Sequence, residues 1–218
     1  MVEIYDSHEQ SERVKGWLRE NGSAIAIGLI LAFGGLFGFK QWQIWHVNKA
    51  RQASAEYQTM VKLLDNGKLD DAVANYQTLQ ANFARSAYTP LAALHMAKAR
   101  VDAGQDDLAA GLLEYVMQEG RPAPVQVIAR ERLARLKLDQ GDPDGALALI
   151  EGAPTDEGFE ARFAEIRGDI YLAQGKREDA IAQYKRALEL HETGIGYQPL
   201  LEMKLESLGV TPPGSSES

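Results

Sequence analysis

Histidine is the natural first place to look for chemistry in this sequence, because imidazole changes charge near neutral pH and is a common metal ligand. The four histidines, His8, His46, His95 and His191, are scattered, and no two share one helix at metal-ligand spacing. Cysteine is absent, which removes thiolate catalysis, disulfides and zinc-finger spacings together. It does not choose a compartment, since an oxidising space permits disulfides without demanding them. No G-x-S-x-G, phosphate-binding loop or dinucleotide fingerprint occurs, and the Gly-x-Gly at Gly194 to Gly196 neither follows a strand nor precedes a suitable turn. The sequence therefore predicts no catalytic residue, no metal site and no cofactor.

The charge balance removes another class. A net charge of −8 and a pI near 5.1 leave no cationic stripe to displace the counterions of a nucleic acid. With 45% hydrophobic and 25% charged residues, the chain has the composition of an ordinary globular domain with one apolar segment added. What remains is binding, and the elements that would position a binding surface.

The apolar segment is Ser23–Phe39, SAIAIGLILAFGGLFGF, and no charge occurs from Asn21 to Phe39. At ~1.5 Å rise per residue that stretch spans roughly 28 Å, close to the ~30 Å hydrocarbon core of a bilayer. Trp17 precedes it while Trp42 and Trp45 follow Lys40, placing amphipathic rings at both predicted interfaces. A cleaved signal peptide fits poorly, because the preceding tail is long and acid-rich and Ala53-Ser54-Ala55 comes too late to be a cleavage site. A buried core helix fits poorly too, since the run is too long and too free of polar residues. Residues 1–20 read as a short solvated tail in which Val14, Trp17 and Leu18 are spaced to lie on one side of a short helix, and 21–45 as the anchor with its interfacial aromatics. Within the span Ala24, Gly28 and Ala32 repeat every fourth residue, and Gly34 and Gly38 form a second small-residue pair; both would let another helix approach closely. Arg13, Lys15 and Arg19 before the span lie nearer to it than Lys40, Lys49 and Arg51 do after it as a group, which slightly favours the N-terminus inside.

No proline or glycine interrupts the chain from Lys40 until Gly67, so the anchor runs straight into the first soluble helix. Beyond it the chain repeats: GKLDDAVANY at Gly67, GQDDLAAGLL at Gly104, GDPDGALALI at Gly141 and GKREDAIAQY at Gly175, with glycines 37, 37 and 34 residues apart. Five positions after each glycine stands an alanine (Ala72, Ala109, Ala146, Ala180), and four further on a large residue (Tyr76, Leu113, Ile150, Tyr184). Twelve positions before each alanine stands a mostly small one: Met60, Ala97, Ala134 and Gly168. Small residues on two antiparallel helices let their axes approach, and a glycine with a following acidic residue supplies the turn and N-cap between them. The expected helices run over about 49–66, 69–84, 88–103, 106–119, 123–140, 143–151, 157–174 and 177–192, with a capping helix near 198–208. The repeat domain would cover 46–209, and 210–218, ending in TPPGSSES, reads as a disordered tail.

This pattern resembles the tetratricopeptide repeat, most closely in the last unit, where Gly168, Tyr171, Ala180, Tyr184 and Ala187 all fit. The resemblance implies an all-α chain: one N-terminal transmembrane helix, then a right-handed superhelix of about four helix pairs plus the capping helix. It also implies that the first helix of each pair lines a concave surface, which would carry Tyr57, Val61, Leu94, Lys98, Glu131, Arg135, Glu165 and Asp169 as candidate protein-binding residues. Surface helices of a solenoid give no reason for two carboxylates to converge in a pocket, so an enzyme is not expected.

The acidic tail, the single span, the juxtamembrane phrase WQIWHVNKARQASAEY and the four degenerate repeats together are similar to the YfgM-like family, single-span subunits ancillary to the bacterial SecYEG translocon. That similarity implies an inner-membrane protein with its N-terminus in the cytoplasm and its repeats in the periplasm. It further implies association with the translocon and with a PpiD-like membrane-anchored periplasmic chaperone. The expected function is a membrane-anchored adaptor or chaperone-like accessory factor that presents its groove to secreted chains as they leave the translocon. The alternatives are an envelope scaffold that never touches those chains, and a cytoplasmic repeat domain of inverted topology.

Overall fold

The structure, a computed structural model, describes residues 6–151, 158–190 and 198–211. Among them lie nine α-helices and no strand: α1 (Asp6–Asp65), α2 (Leu69–Phe83), α3 (Tyr88–Asp102), α4 (Asp106–Glu119), α5 (Ala123–Asp139), α6 (Pro143–Glu151), α7 (Glu160–Ala173), α8 (Arg177–Glu189) and α9 (Gln198–Ser207). Expectations placed on residues 1–5, 152–157, 191–197 and 212–218, including most of the tail, lie outside the described residues. The elements separate into two compact units, Met1–Gln52 and Ala53–Ser218.

The first unit is the N-terminal part of α1. Helix begins at Asp6 and continues without a break, so the acid-rich segment expected to be a short solvated tail is regular helix from that point. From Ala26 onward α1 is long and apolar enough to cross a membrane, and the apolar window is exposed throughout. Past the apolar run an aromatic cluster forms: the His46 ring lies 4.3 Å from Trp42 and 4.9 Å from Trp45, and Lys49 Nζ sits 4.9 Å over the Trp45 ring. Such ring and cation contacts suit the polar edge of a bilayer, where one face of a side chain is apolar and the other wet.

The second unit is the repeat stack. Helices α2 to α9 pack chiefly on their chain neighbours, and the first helices of successive pairs also touch, α3 on α5 and α5 on α7. The alanines read from the sequence as contact points, Ala72, Ala109, Ala146 and Ala180, are all fully buried, as are their partners Met60, Ala97 and Ala134. Where alanine would still be too large, glycine stands. A Cβ on Gly168 would meet Tyr184 Cδ1 at 2.6 Å, in a contact where the tyrosine is 1% exposed.

The turns within pairs share one geometry. Gly67, Gly104, Gly141 and Gly175 all have φ near +70°, and the amide after each donates to the carbonyl five residues back: Lys68 to Leu63, Gln105 to Arg100, Asp142 to Lys137 and Lys176 to Tyr171. Gly209 at the end of α9 repeats it, with the Val210 amide on Leu205. This closure satisfies the last helix carbonyls and requires the left-handed backbone that glycine adopts without strain.

The acidic N-cap expected after each glycine exists in one turn. Asp142 Oδ1 accepts the Gly145 amide at 2.9 Å, whereas α2, α4 and α8 begin after Lys68, Gln105 and Lys176 with no side-chain cap bond. In those three the acids fall one to three places later, at Asp70, Asp71, Asp106, Asp107, Glu178 and Asp179. There they face the positive end of the helix dipole instead of bonding its amides.

Two outcomes follow for urea unfolding of the full chain followed by far-UV circular dichroism. Gly168→Ala should cost about 1–3 kcal/mol by overpacking, yet in a Tyr184→Ala background the same change should stabilise by up to about 1 kcal/mol of helix propensity; a loss of equal size in both backgrounds would refute the contact. Asp142→Ala should cost about 1 kcal/mol as a lost cap, and Asp106→Ala only a few tenths, toward the low end of a dipole interaction.

Candidate protein-binding surface

The first helices of the pairs carry the residues expected to line an inner surface, and the two halves of this set differ in kind. In the first half Tyr57, two turns before the end of α1, meets residues of α3: its ring centroid lies 5.5 Å from Tyr88 and 5.7 Å from His95. Tyr57, Val61 and Tyr88 are half-buried and His95 is exposed, so an aromatic patch is open to solvent here. Burial, and then the neighbouring Tyr88, raise the Tyr57 hydroxyl above its usual pKa. His95 is held below the usual imidazole value, first by burial and then by Arg132, against a smaller opposing pull from Asp65. Of the two α3 residues expected to line this surface, Lys98 is exposed and paired with Asp102 at 2.6 Å. Leu94 is only 4% exposed and belongs to the core, while its carbonyl accepts from Arg132 at 3.3 Å.

In the second half, the sequence-derived Glu131, Arg135, Glu165 and Asp169 converge on one ion network. Arg135 bonds Glu131 one turn back and places Nη2 3.7 Å from Glu165 Oε2 on α7. Arg162 on α7 reaches back to Glu131 Oε2 at 3.3 Å. Lys204 on α9 donates to Glu165 Oε1 at 2.7 Å and to both Asp169 oxygens at 2.7 and 2.8 Å. Tyr184 donates its hydroxyl to Asp169 at 2.7 Å, and burial, reinforced by that bond, pushes its pKa far up. Glu131 and Glu165 are 4% and 3% exposed. Carboxylates so deeply desolvated persist because cations face them: Arg135 of its own helix and Arg162 of α7 for Glu131, Arg135 of α5 and Lys204 of α9 for Glu165.

Sequence reading missed Tyr88, His95, Arg162 and Lys204 as members of this surface. Arg162 stands three residues before Glu165 and so shares its face, a signal that could have been followed. Lys204 carries none, since it arrives from a different helix through tertiary packing. In the other unit Ala24, Gly28, Ala32, Gly34 and Gly38 are all exposed on α1, and a Cβ at any of the three glycines would meet nothing within 4 Å. Among the described residues no group of three or more histidine and acidic side chains is placed to hold a metal ion.

Comparison with known proteins places this geometry. A tetratricopeptide repeat-like domain model matches residues 15–210. The solved structure of MamA from Desulfovibrio magneticus RS-1, residues 41 to its end, superposes with a TM-score of 0.53 at 19% identity, covering 71% of this chain and 84% of that one, a likeness of fold. The ancillary SecYEG translocon subunit of Escherichia coli K12 is 30% identical over 96% of this chain and all of its own length. Those of Haemophilus influenzae and Neisseria gonorrhoeae are each 29% identical over 95% of this chain and the whole of theirs. A helix able to cross a membrane, a stack of paired helices with glycine turns and close small-residue contacts, and end-to-end similarity to these subunits lead to one conclusion: the chain belongs to the tetratricopeptide-repeat-like family of ancillary SecYEG translocon subunits, the YfgM-like family.

Proposed function

We propose that this protein is a non-enzymatic, membrane-anchored accessory factor of the Sec translocon whose repeat domain binds polypeptide on its inner surface. Bound partners would be the translocon itself, a PpiD-like membrane-anchored chaperone, and secreted chains emerging nearby. The observation that carries this reading is the contrast between the two halves of the surface: Tyr57, Val61, Tyr88 and His95 form an apolar, aromatic patch open to solvent, whereas Glu131, Arg135, Glu165 and Asp169 are engaged with one another and with α9. An open aromatic patch between helices suits an extended segment or the face of a partner helix. Anchoring by α1 would raise the effective concentration of that patch at the translocon exit. In this reading the protein is a single-pass inner-membrane protein, N-terminus in the cytoplasm and repeats in the periplasm, with the small residues Ala24, Gly28, Ala32, Gly34 and Gly38 available to a neighbouring span.

Photo-crosslinking amino acids at Tyr57 and Lys98 should trap translocon subunits, the chaperone or nascent secreted chain, while one at Leu108, exposed on the second helix of a pair, should not. Equal labelling from all three positions would refute an inner-surface site. Reporter fusions at Ser218 should be active only on the periplasmic side, and cytoplasmic activity would end the Sec-exit reading.

A further inference from the structure

The carboxylates of Glu165 and Asp169 hold Lys204 as a binding site holds a ligand's side chain. Its ammonium lies 2.7 Å from Glu165 Oε1 and 2.7 and 2.8 Å from the Asp169 oxygens, and 5.4 Å from the centroid of the Tyr184 ring. The three donors of an ammonium are thereby spent. One acceptor is left over: Glu165 Oε2 is buried without a hydrogen-bond donor, with Arg135 Nη2 standing 3.7 Å away. A guanidinium brings five donors in a planar fork that meets carboxylates two at a time, so the site is better matched to arginine than to its present occupant.

Besides Lys204, a small set of contacts holds helix α9. Leu201 and Leu205 are its buried side chains, Leu200 and Met203 are exposed, and Arg177 ties the end of the helix through the Leu208 carbonyl. We propose that Glu165 and Asp169 form a recognition site for an arginine on an amphipathic helix of a partner protein, that α9 fills this site in the resting chain, and that the partner binds by exchanging with α9. This rests on the reading that the inner surface binds protein, and adds the chemistry of what it selects. Selection is built into the exchange. A purely apolar helix that displaced α9 would leave Asp169 and the buried Glu165 short of their cation, which is strongly unfavourable. A helix with arginine placed between leucines as Lys204 is between Leu201 and Leu205 replaces both kinds of contact and satisfies Oε2.

The test uses the full chain in detergent micelles and fluorescein-labelled peptides of sequence QPLLEMKLESLGV, carrying lysine, arginine or methionine at the position of Lys204. The arginine peptide should bind about tenfold more tightly than the lysine peptide, and the methionine peptide should not bind. Saturation with the arginine peptide should accelerate hydrogen exchange of α9 amides while leaving those of α8 unchanged. Asp169→Asn should abolish the preference for arginine over methionine, and should this variant unfold, the exchange measurement on the unaltered chain decides alone. Equal affinities, or binding without faster exchange in α9, would overturn the proposal. So would a concentration-dependent dimer with α9 swapped between copies, which would make a second copy the occupant. Peptide exchange in a chain that crosslinks to no Sec component would remove the translocon reading and leave this site standing; the converse result would remove only this site.

Discussion

The repeat domain depends on how closely two helix axes can approach. Every pair buries an alanine of its second helix and a small or flexible residue of its first, and in the last pair the requirement tightens until Gly168 alone leaves room for the Tyr184 ring. Close approach buries the faces that a lone helix pair would expose, and stacking the pairs then joins the buried strips into continuous clusters, the largest extending from Ala53 to Leu136. Tyr184 couples this packing to charge. Its ring fills the space above Gly168 while its hydroxyl holds Asp169, so the residue that sets the spacing of α7 and α8 also orients a carboxylate on the inner surface.

That inner surface divides according to what neighbouring first helices offer one another. Between α1 and α3 the contacts are aromatic, which leaves ring faces and edges available to a further apolar group. Between α5, α7 and α9 they are ionic, and each buried carboxylate is answered by cations, so that a ligand can enter only in exchange for one of them. Desolvated charges of this kind add specificity more than net stability, since the Coulombic gain is set against the cost of taking both partners out of water. Here they link the first helices of successive pairs, α5 to α7, and α7 to α9.

Much of the fold was legible because the signals were periodic. The glycine phase, the alanines and the large residues four beyond them located α2 to α6 to within a residue or so at each end. Regular helix from Asp6 was not legible, since charged residues of both signs around Val14, Trp17 and Leu18 fit a solvated turn as well as a helix. Caps were read too generously: an acid after a glycine is compatible with capping, but whether it lands at the cap or a residue later is decided by where the helix starts. For the candidate site, helical phase grouped Glu131, Arg135, Glu165 and Asp169, which the structure joins in one ion network. It could not tell a side chain facing solvent from one facing the next helix, which is why Leu94 proved to be core and why Lys204, arriving from α9, left no trace in the pattern.

The recurrent glycine turn also constrains how such a chain can change over time. Because the amide after each glycine must reach the carbonyl five residues back, adding or removing one residue there would rotate the following helix by roughly 100° and turn its alanine away from its partner. A change of length costs less at helix ends and in the connections between pairs, such as 84–87 and 120–122. The unequal periods of 37, 37 and 34 residues record that freedom, with the turn itself held constant as the hinge on which units could be duplicated whole.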